Sequence, residues 1–205
     1  MVKIYKFENE RIILERELNE LDNFVENFLK VLKKHSDYLI VSGFVSISTG
    51  RTRGTEDVDI LFPVMNEKEF EKLFSDLIKN NFWCYQGDNS KEVYTYIKEM
   101  TNIRFAKKDQ LFPNIEFIPI NESRKAKFFE FSHPQKIIII DKKKSREFEF
   151  KIPMLEFEIL YKEIILGGKK DLEDAKHLRT FFSEILKEEN FKKCKEVIKH
   201  EKTKN

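Results

Sequence analysis

The stretch that decides the fold runs from Tyr38 to Phe62 and reads YLIVSGFVSISTGRTRGTEDVDILF. Its apolar start predicts a buried strand, and Ser42-Gly43 marks the turn at which that strand ends. A polar loop then leads to Asp57-Val58-Asp59 and a second apolar run. Side chains alternate between the faces of a strand, so Asp57 and Asp59 point the same way, about 6–7 Å apart at Cα. The pair predicts a site for one or two divalent cations such as Mg²⁺, which complete their coordination with water and phosphate.

The composition is that of a globular protein with a full core. Of 205 residues, 40% are hydrophobic, and 20 are Phe, which is sufficient for one domain or for one domain with a helical appendage. The 38 basic and 36 acidic residues nearly balance, so nucleic acid is not attracted by the whole surface and only local basic patches remain open. The sequence has no signal peptide and no apolar run of about 18 residues, which leads us to expect a soluble, cytoplasmic protein.

Periodicity predicts an α+β fold, with a mixed sheet flanked by helices in residues 1–152 and a helical C-terminal part in 153–205. Apolar repeats predict helices over residues 9–35, 66–78, 123–131, 154–165, 169–178 and 184–203. Shorter apolar runs predict strands over residues 38–41, 57–62, 82–85, 103–105, 115–118, 136–140 and 147–150. Residues 90–98 fit either a helix or a strand. Trp83 is interpreted as a core side chain in preference to a base-stacking platform.

The 42–59 block resembles the signature of the nucleotidyltransferase superfamily, which has the fold of DNA polymerase β. Gly43 stands where that family has a helix-borne glycine, and Asp57 and Asp59 stand where it has Asp-x-Asp. The spelling Arg53-Gly54-Thr55-Glu56-Asp57-Val58-Asp59 is most similar to the Arg-x-Thr-x-Asp-x-Asp of the AbiEii-type abortive-infection toxin branch. Phe44 departs from the pattern, which has a second small residue at that place.

The resemblance also implies a third carboxylate on a strand next to the Asp-x-Asp strand. Glu116 is the best match, because it is flanked by Ile115 and Phe117 and therefore faces away from their side of the strand. Most branches of the family have Asp there. Asp109 and Glu122 are weaker candidates.

A second block of similarity lies in the C-terminal part. The toxin branch has a Lys on one helix and Lys-Asp-x-x-Asp at the start of the next, a pattern that Lys162, Lys170, Asp171 and Asp174 fit. A structural interpretation is equally available, with Asp171 as the N-cap of the helix and Asp174 placed favourably in the helix dipole. The two interpretations are compatible.

The resemblance implies a metal-dependent enzyme that transfers a nucleoside monophosphate from an NTP to an acceptor hydroxyl. Mg²⁺ or Mn²⁺ would be held by Asp57, Asp59 and Glu116. Ser42 and Gly43 would cradle the phosphates. Arg53, in the motif with Thr55, would neutralise phosphate charge, unless it pairs with Glu56. Lys162 or Lys170, next to Asp171, would reach the triphosphate or the acceptor.

The acceptor is left open by the sequence. By resemblance it is tRNA, with a toxin or phage-defence role and an antitoxin partner, and a small molecule of the aminoglycoside type or a protein are the alternatives. A competing hypothesis is a non-catalytic protein of the same fold that binds nucleotide or a partner, which Phe44 and Glu116 favour. A cleft filled by Phe44 would exclude the enzyme. A simple RNA-binding module is disfavoured by the balanced charge.

Overall fold

Two mixed β-sheets form the centre of the molecule. The computed structural model describes the backbone of residues 5–202 and the side chains of residues 5–199. In that part of the chain the strands are Tyr5–Glu8 (β1), Arg11–Glu15 (β2), Leu39–Val41 (β3), Asp57–Pro63 (β4), Phe82–Cys84 (β5), Ile103–Lys107 (β6), Asn114–Ile120 (β7), Pro134–Asp141 (β8) and Arg146–Pro153 (β9). The helices are Glu20–Leu32 (α1), Gly43–Ser48 (α2), Glu67–Lys79 (α3), Ser90–Lys98 (α4), Lys125–Ser132 (α5), Leu155–Tyr161 (α6), Lys169–Phe181 (α7) and Glu188–Lys202 (α8).

The larger sheet carries the Asp-x-Asp strand in an inner position. Its order is β3-β4-β7-β6-β5, with β4 and β7 parallel and the other neighbours antiparallel. The smaller sheet has the order β1-β2-β8-β9, and its β8–β9 hairpin is the one that the sequence predicts. The predicted α+β class with mixed strand directions is therefore confirmed, although the strands divide into two sheets.

The larger sheet buries one face under α1 and α3. Phe28 of α1 packs edge-on against Phe82, which lies on the edge strand β5, and against Phe117, which lies on the central strand β7. Alternation then places Asp57, Asp59 and Glu116 on the opposite face, because their neighbours Val58, Ile60, Ile115 and Phe117 are buried in the core. The fold thus directs the acidic side chains away from the main core.

Helix starts follow local sequence. Asn66 and Glu69 form a capping box at the start of α3, in which each side chain accepts a hydrogen bond from the other residue's backbone N–H. The predicted capping start of this helix is confirmed. Asn19 and Asp22 form the same box at α1, so α1 begins at Glu20.

The helix predicted over residues 9–35 is wrong in its first third. Residues 5–15 form the β1–β2 hairpin, whose turn has positive φ at Asn9 and Glu10. Ile12 and Leu14 alternate into the core, and β2 pairs in parallel with β8. The short spacing of these apolar residues fits a helix or a strand, and a partner more than 120 residues away in sequence decides for the strand.

The C-terminal part is helical, as predicted. Helix α6 continues into a π-helical turn, Lys162–Leu166, which ends at Gly167 with φ +65°. Leu155, Ile159, Leu178 and Phe182 belong to the same buried cluster as α1 and the two sheets. The last helix begins at Glu188, four residues later than expected, and residue 203 of the predicted helix lies outside the described residues.

The helices also decide the one segment that the sequence left ambiguous. Residues 90–98, which fit either helix or strand, form the helix α4. Within the described chain no helix has the length and apolarity needed to cross a membrane. The division into domains at residues 152 and 153 stays a prediction.

Candidate functional site

Three carboxylates converge on the face of the larger sheet that points away from the main core. Asp57 and Asp59 come from β4, and the parallel register sets Asp59 directly beside Glu116 on β7. One carboxylate oxygen of each residue lies within 4.8 Å of those of the other two. All three side chains are half-buried. We call these three residues the acidic triad.

The acidic triad is electrostatically unfavourable as it stands. Burial, together with the nearby charges of Glu116 and Asp57, raises the pKa of Asp59 to about 6, and a hydrogen bond from the Ser42 hydroxyl opposes the rise. Glu116 is partly compensated, because Arg104 donates to it at 3.0 Å and the Asn102 amide at 2.8 Å. Three oxygen donors that repel one another fit a hard divalent cation, which would supply the missing positive charge.

The hydroxyls of Ser42 and Thr55 fix the two aspartates. Ser42, between β3 and α2, has φ +64°, a backbone conformation that a non-glycine residue adopts at a cost. The side chain of Ser42 is thereby directed at Asp59. The Thr55 hydroxyl lies 2.9 Å from the backbone oxygen of Asp57 and 3.2 Å from its carboxylate. Both hydroxyls are therefore brought to the acidic triad.

Gly43 allows a close approach, and the group that approaches is Arg53. A Cβ built on Gly43 would lie 2.8 Å from Nη2 of Arg53. The guanidinium pairs with Asp174 at 2.5 Å. The alternative pairing with Glu56 is wrong, because the charge partner is a buried carboxylate on α7. Arg53 consequently lies beside Gly43 and is held there by its ion pair with Asp174 of α7.

Asp174 is the centre of a buried ion-pair cluster. Arg51 and Arg53 contact its two oxygens, and the Lys162 ammonium lies 3.1 Å from one of them. Lys162 also pairs with Glu158 at 3.3 Å and is fully buried. Burial lowers the pKa of Lys162, but Glu158 and Asp174 outweigh that effect and raise it overall. A contact of Lys162 with substrate stays a prediction, and its observed partners are these two carboxylates.

Lys170, at the start of α7, lies on the same cleft as Asp57 of the acidic triad. This lysine lines an open cleft of about 480 Å³ together with Arg53, Thr55, Asp57 and the backbone of Gly54. Asp171 is the third residue of α7 and lies against Gly168, which is the N-cap. The expectation that Asp171 is the N-cap is wrong by three positions, and the roles of Lys170 and Asp171 with a substrate stay predictions.

Phe44 does not fill the cleft. Its side chain is 1% exposed and packs edge-on against Phe150 of the smaller sheet, with ring centroids 5.4 Å apart. The bulky residue at the place of a small one is accommodated by the core between the two sheets. The condition that would have excluded an enzyme is therefore not met.

Two basic residues near the acidic triad are absent from the sequence prediction. Arg104 lies on β6, directly beside Glu116 in the ladder. Lys127 of α5 is close enough to Asp59 to oppose the rise of its pKa, and it pairs with Glu130 at 3.0 Å. Arg104 interrupts an apolar run, between Ile103 and Phe105, as Glu116 does, and that shared signal could have identified it.

The fold and the acidic triad together define a protein with a nucleotidyltransferase-like fold and a candidate metal site. Among solved structures, an antigenic nucleotidyltransferase-like protein from Paracoccidioides brasiliensis matches 80% of this chain and 76% of its own, with a TM-score of 0.52 and 17% sequence identity. No protein-family model matches the sequence, and no curated protein does. At this identity the likeness concerns the fold.

Proposed function

We propose that this protein is a metal-dependent nucleotidyltransferase that moves a nucleoside monophosphate from an NTP to an acceptor hydroxyl. The observation that carries the proposal is the acidic triad, with its three carboxylate oxygens within 4.8 Å on adjacent strands. The open cleft beside Asp57 gives a substrate access to it. The nucleotidyltransferase-like fold supports the same reaction class.

Each polar residue around the acidic triad has a role in this proposal. Asp57, Asp59 and Glu116 would hold Mg²⁺ or Mn²⁺, which when bound supplies the positive charge that neutralises phosphate and lowers the pKa of the acceptor hydroxyl. The Thr55 and Ser42 hydroxyls orient the two aspartates. Lys170 and Arg53 line the cleft and would bind the triphosphate.

The reaction is a displacement at the α-phosphorus of the NTP. The bond from the acceptor oxygen to phosphorus forms, the bond to pyrophosphate breaks, and the acceptor proton passes to solvent. Positioning and charge neutralisation supply most of the rate acceleration in such transfers. The rigid strands β4 and β7 suit the residues that must hold this geometry.

The finer expectations belong to the same proposal. We propose tRNA as the acceptor, a cytoplasmic setting and, by resemblance to the AbiEii-type branch, a toxin activity controlled by an antitoxin partner. The support for tRNA and for the toxin activity is the spelling of residues 53–59 and the Lys-Asp-x-x-Asp sequence at residues 170–174.

The test begins with metal binding. Calorimetric titration of the metal-free protein with Mn²⁺ should show binding that is lost in Asp57→Asn/Asp59→Asn. Asp88→Asn is the matched control, because it removes an exposed carboxylate from a loop on β5. The same proteins are then incubated with each α-³²P-labelled NTP, Mg²⁺ or Mn²⁺ and total tRNA, and label transfer is followed on denaturing gels.

Transfer by the wild type and the control, and its absence from the double variant, would support the proposal. Binding of Mn²⁺ and NTP without transfer to tRNA, to protein or to small-molecule acceptors would favour the non-catalytic alternative. In that alternative Arg104 would stay paired with Glu116, at 3.0 Å, and the site would bind nucleotide without catalysing a transfer. Absence of both metal binding and transfer would contradict the transferase and would likewise favour the non-catalytic alternative.

A further inference from the structure

The face of the larger sheet that carries the acidic triad extends beyond it to β6 and β5. On β5, Phe82 and Cys84 point into the core, so Trp83 points to the triad's face, and Tyr85, just past the end of β5, is the next residue in that alternation. The ladder continues past the strand, because the Tyr85 N–H donates to the Arg104 carbonyl at 2.9 Å. Asp59, Glu116, Arg104 and Tyr85 therefore form one row across four adjacent strands.

The far end of this row is aromatic. The rings of Trp83 and Tyr85 stack with centroids 4.7 Å apart and an interplanar angle of 24°. Both are half-buried. The Trp83 indole donates to the Gln110 carbonyl at 2.9 Å and the Tyr85 hydroxyl donates to the Leu111 carbonyl. These bonds hold both rings against the loop that precedes β7.

The rim of this surface is apolar and exposed. Leu111 is 59% exposed and Phe112 is 51% exposed, on the loop held by Trp83 and Tyr85. Arg104 lies between this rim and the acidic triad, with its side chain 42% exposed. An aromatic pair, exposed apolar side chains and an accessible guanidinium are the components with which proteins bind single-stranded nucleic acid.

We propose that Trp83, Tyr85 and Arg104 form a binding site for an unpaired nucleotide of the acceptor strand, a single-stranded nucleic acid whose end reaches the acidic triad. A base stacks on the Trp83–Tyr85 pair or on the neighbouring Phe112, and Arg104 binds a backbone phosphate. Three strand spacings of about 4.8 Å separate β4 from β5, so roughly 14 Å lie between the aspartates and the aromatic pair. A few nucleotides of extended strand span that distance.

The position of the site favours the acceptor over the base of the NTP. Arg53, which the proposed function assigns to the triphosphate together with Lys170, lies beside Gly43, just past the end of β3, and so on the β3 side of the acidic triad. Arg104 and Tyr85 lie on its β7–β6–β5 side. The two substrates of a transfer reaction would then approach from opposite sides. The identity of the occupant as an acceptor therefore depends on the proposed function, whereas binding of single strands does not.

Trp83 is the single tryptophan of the chain, so it reports on its own site. We would titrate the full-length protein in EDTA with a ten-nucleotide single-stranded RNA, its DNA counterpart, the RNA duplex and ATP, following tryptophan fluorescence. Affinities come from the anisotropy of the 5′-fluorescein-labelled strand. EDTA removes metal-dependent transfer, so the result does not depend on catalysis.

The expected result is quenching by single strands with little effect of the duplex, whose bases are already stacked. Tyr85→Leu should weaken binding at least fivefold, since base–aromatic stacking contributes about 1–3 kcal/mol per base. Tyr85→Phe keeps the ring and should bind like the wild type. Tyr96→Leu, an exposed tyrosine on α4, is the control, and melting curves establish that every variant is folded. The RNA and DNA arms show which sugar the site accepts.

Two outcomes would overturn the proposal. One is unchanged affinity in Tyr85→Leu with no quenching of Trp83. The other is quenching by ATP alone that Tyr85→Leu abolishes, which would assign the surface to the NTP base. If single strands bind as expected but no label transfer is found in any assay, the nucleic-acid site stands and the nucleotidyltransferase proposal fails.

Discussion

At the scale of single residues, Asp59 shows the conflict between stability and the proposed metal site. Its carboxylate is buried beside Glu116 and Asp57, and its pKa is raised to about 6. A raised carboxylate pKa means that the folded protein binds the proton more tightly than the unfolded chain. The ionised form of Asp59 therefore lowers stability above pH 6, and the loss disappears as the pH falls towards the unfolded value near 4.

Asp59→Asn should consequently stabilise the metal-free protein. We expect a gain of about 3 kcal/mol at pH 8, since the pKa is raised by about two units and one unit corresponds to about 1.4 kcal/mol. The gain should decline between pH 6 and pH 4. Urea unfolding in EDTA at several pH values measures it, with the exposed Asp88→Asn as the control. A gain independent of pH would show that the charge of Asp59 is not its origin.

Phe44 belongs to the core, so replacing it should act on stability. Phe44→Ala removes a ring packed on Phe150 and should cost about 3–5 kcal/mol in the free energy of unfolding. Phe7→Ala, at an exposed phenylalanine on β1, should change it by less than about 0.5 kcal/mol. Chemical denaturation of the two variants compares them directly. Equal losses would contradict the core assignment of Phe44.

The acidic triad was predictable from sequence to a useful degree. The period of two in Asp57-Val58-Asp59 and in Ile115-Glu116-Phe117 fixes which side chains share a face, once the strands are recognised. Arg104 follows the same rule in Ile103-Arg104-Phe105, but the sequence prediction leaves it out because the expected metal ligands are carboxylates and an arginine is not one. The partner of Arg53 could not be predicted, because Asp174 is 121 residues away and meets it only in the folded chain.

At the scale of elements, α7 is joined to the loop between α2 and β4 by buried charge. Asp174 is fully buried and meets Arg51, Arg53 and Lys162. The Thr49 hydroxyl and His177 add a hydrogen bond of 3.1 Å between the same two elements. The loop that carries Arg53 and Thr55 is thus positioned from the C-terminal helices. This contact connects the loop before the Asp-x-Asp strand with the Lys-Asp-x-x-Asp sequence at residues 170–174.

Asp174→Asn should destabilise the protein by about 3–5 kcal/mol, because three cations would lose the buried carboxylate with which they pair. Glu173→Gln is the matched control, since Glu173 pairs with the same Arg51 but is 52% exposed. Its loss should be at most about 1 kcal/mol. Urea denaturation distinguishes the two. A neutral Asp174→Asn would mean that the cluster is solvated and does not fasten the loop.

The elements themselves were predicted well where local sequence decides them. Asn66 and Glu69 indicate the start of α3. Two apolar runs separated by a polar turn predict the β8–β9 hairpin. The β1–β2 hairpin was mistaken for helix because its partner β8 is remote in sequence. Pairing with a distant strand outweighs local propensity there.

At the scale of the whole molecule, the predicted C-terminal domain shares its core with the sheets. Leu155, Ile159, Leu178 and Phe182 lie in one buried cluster with α1 and both sheets. The ion pairs of Asp174 cross the same boundary. Both the apolar and the charged contacts therefore oppose independent unfolding of α6 and α7.

We expect one cooperative unfolding transition for the whole chain. Trp83 fluorescence reports on β5, and far-UV circular dichroism reports largely on the helices, so the two signals should give the same urea midpoint. Leu178→Ala opens a cavity where α7 meets the shared core and should lower the stability by about 2–5 kcal/mol. In that variant both midpoints should move together. A dichroism midpoint that moves alone would show that the C-terminal helices unfold as a separate unit, and the boundary at residues 152 and 153 would then be a domain boundary in the thermodynamic sense.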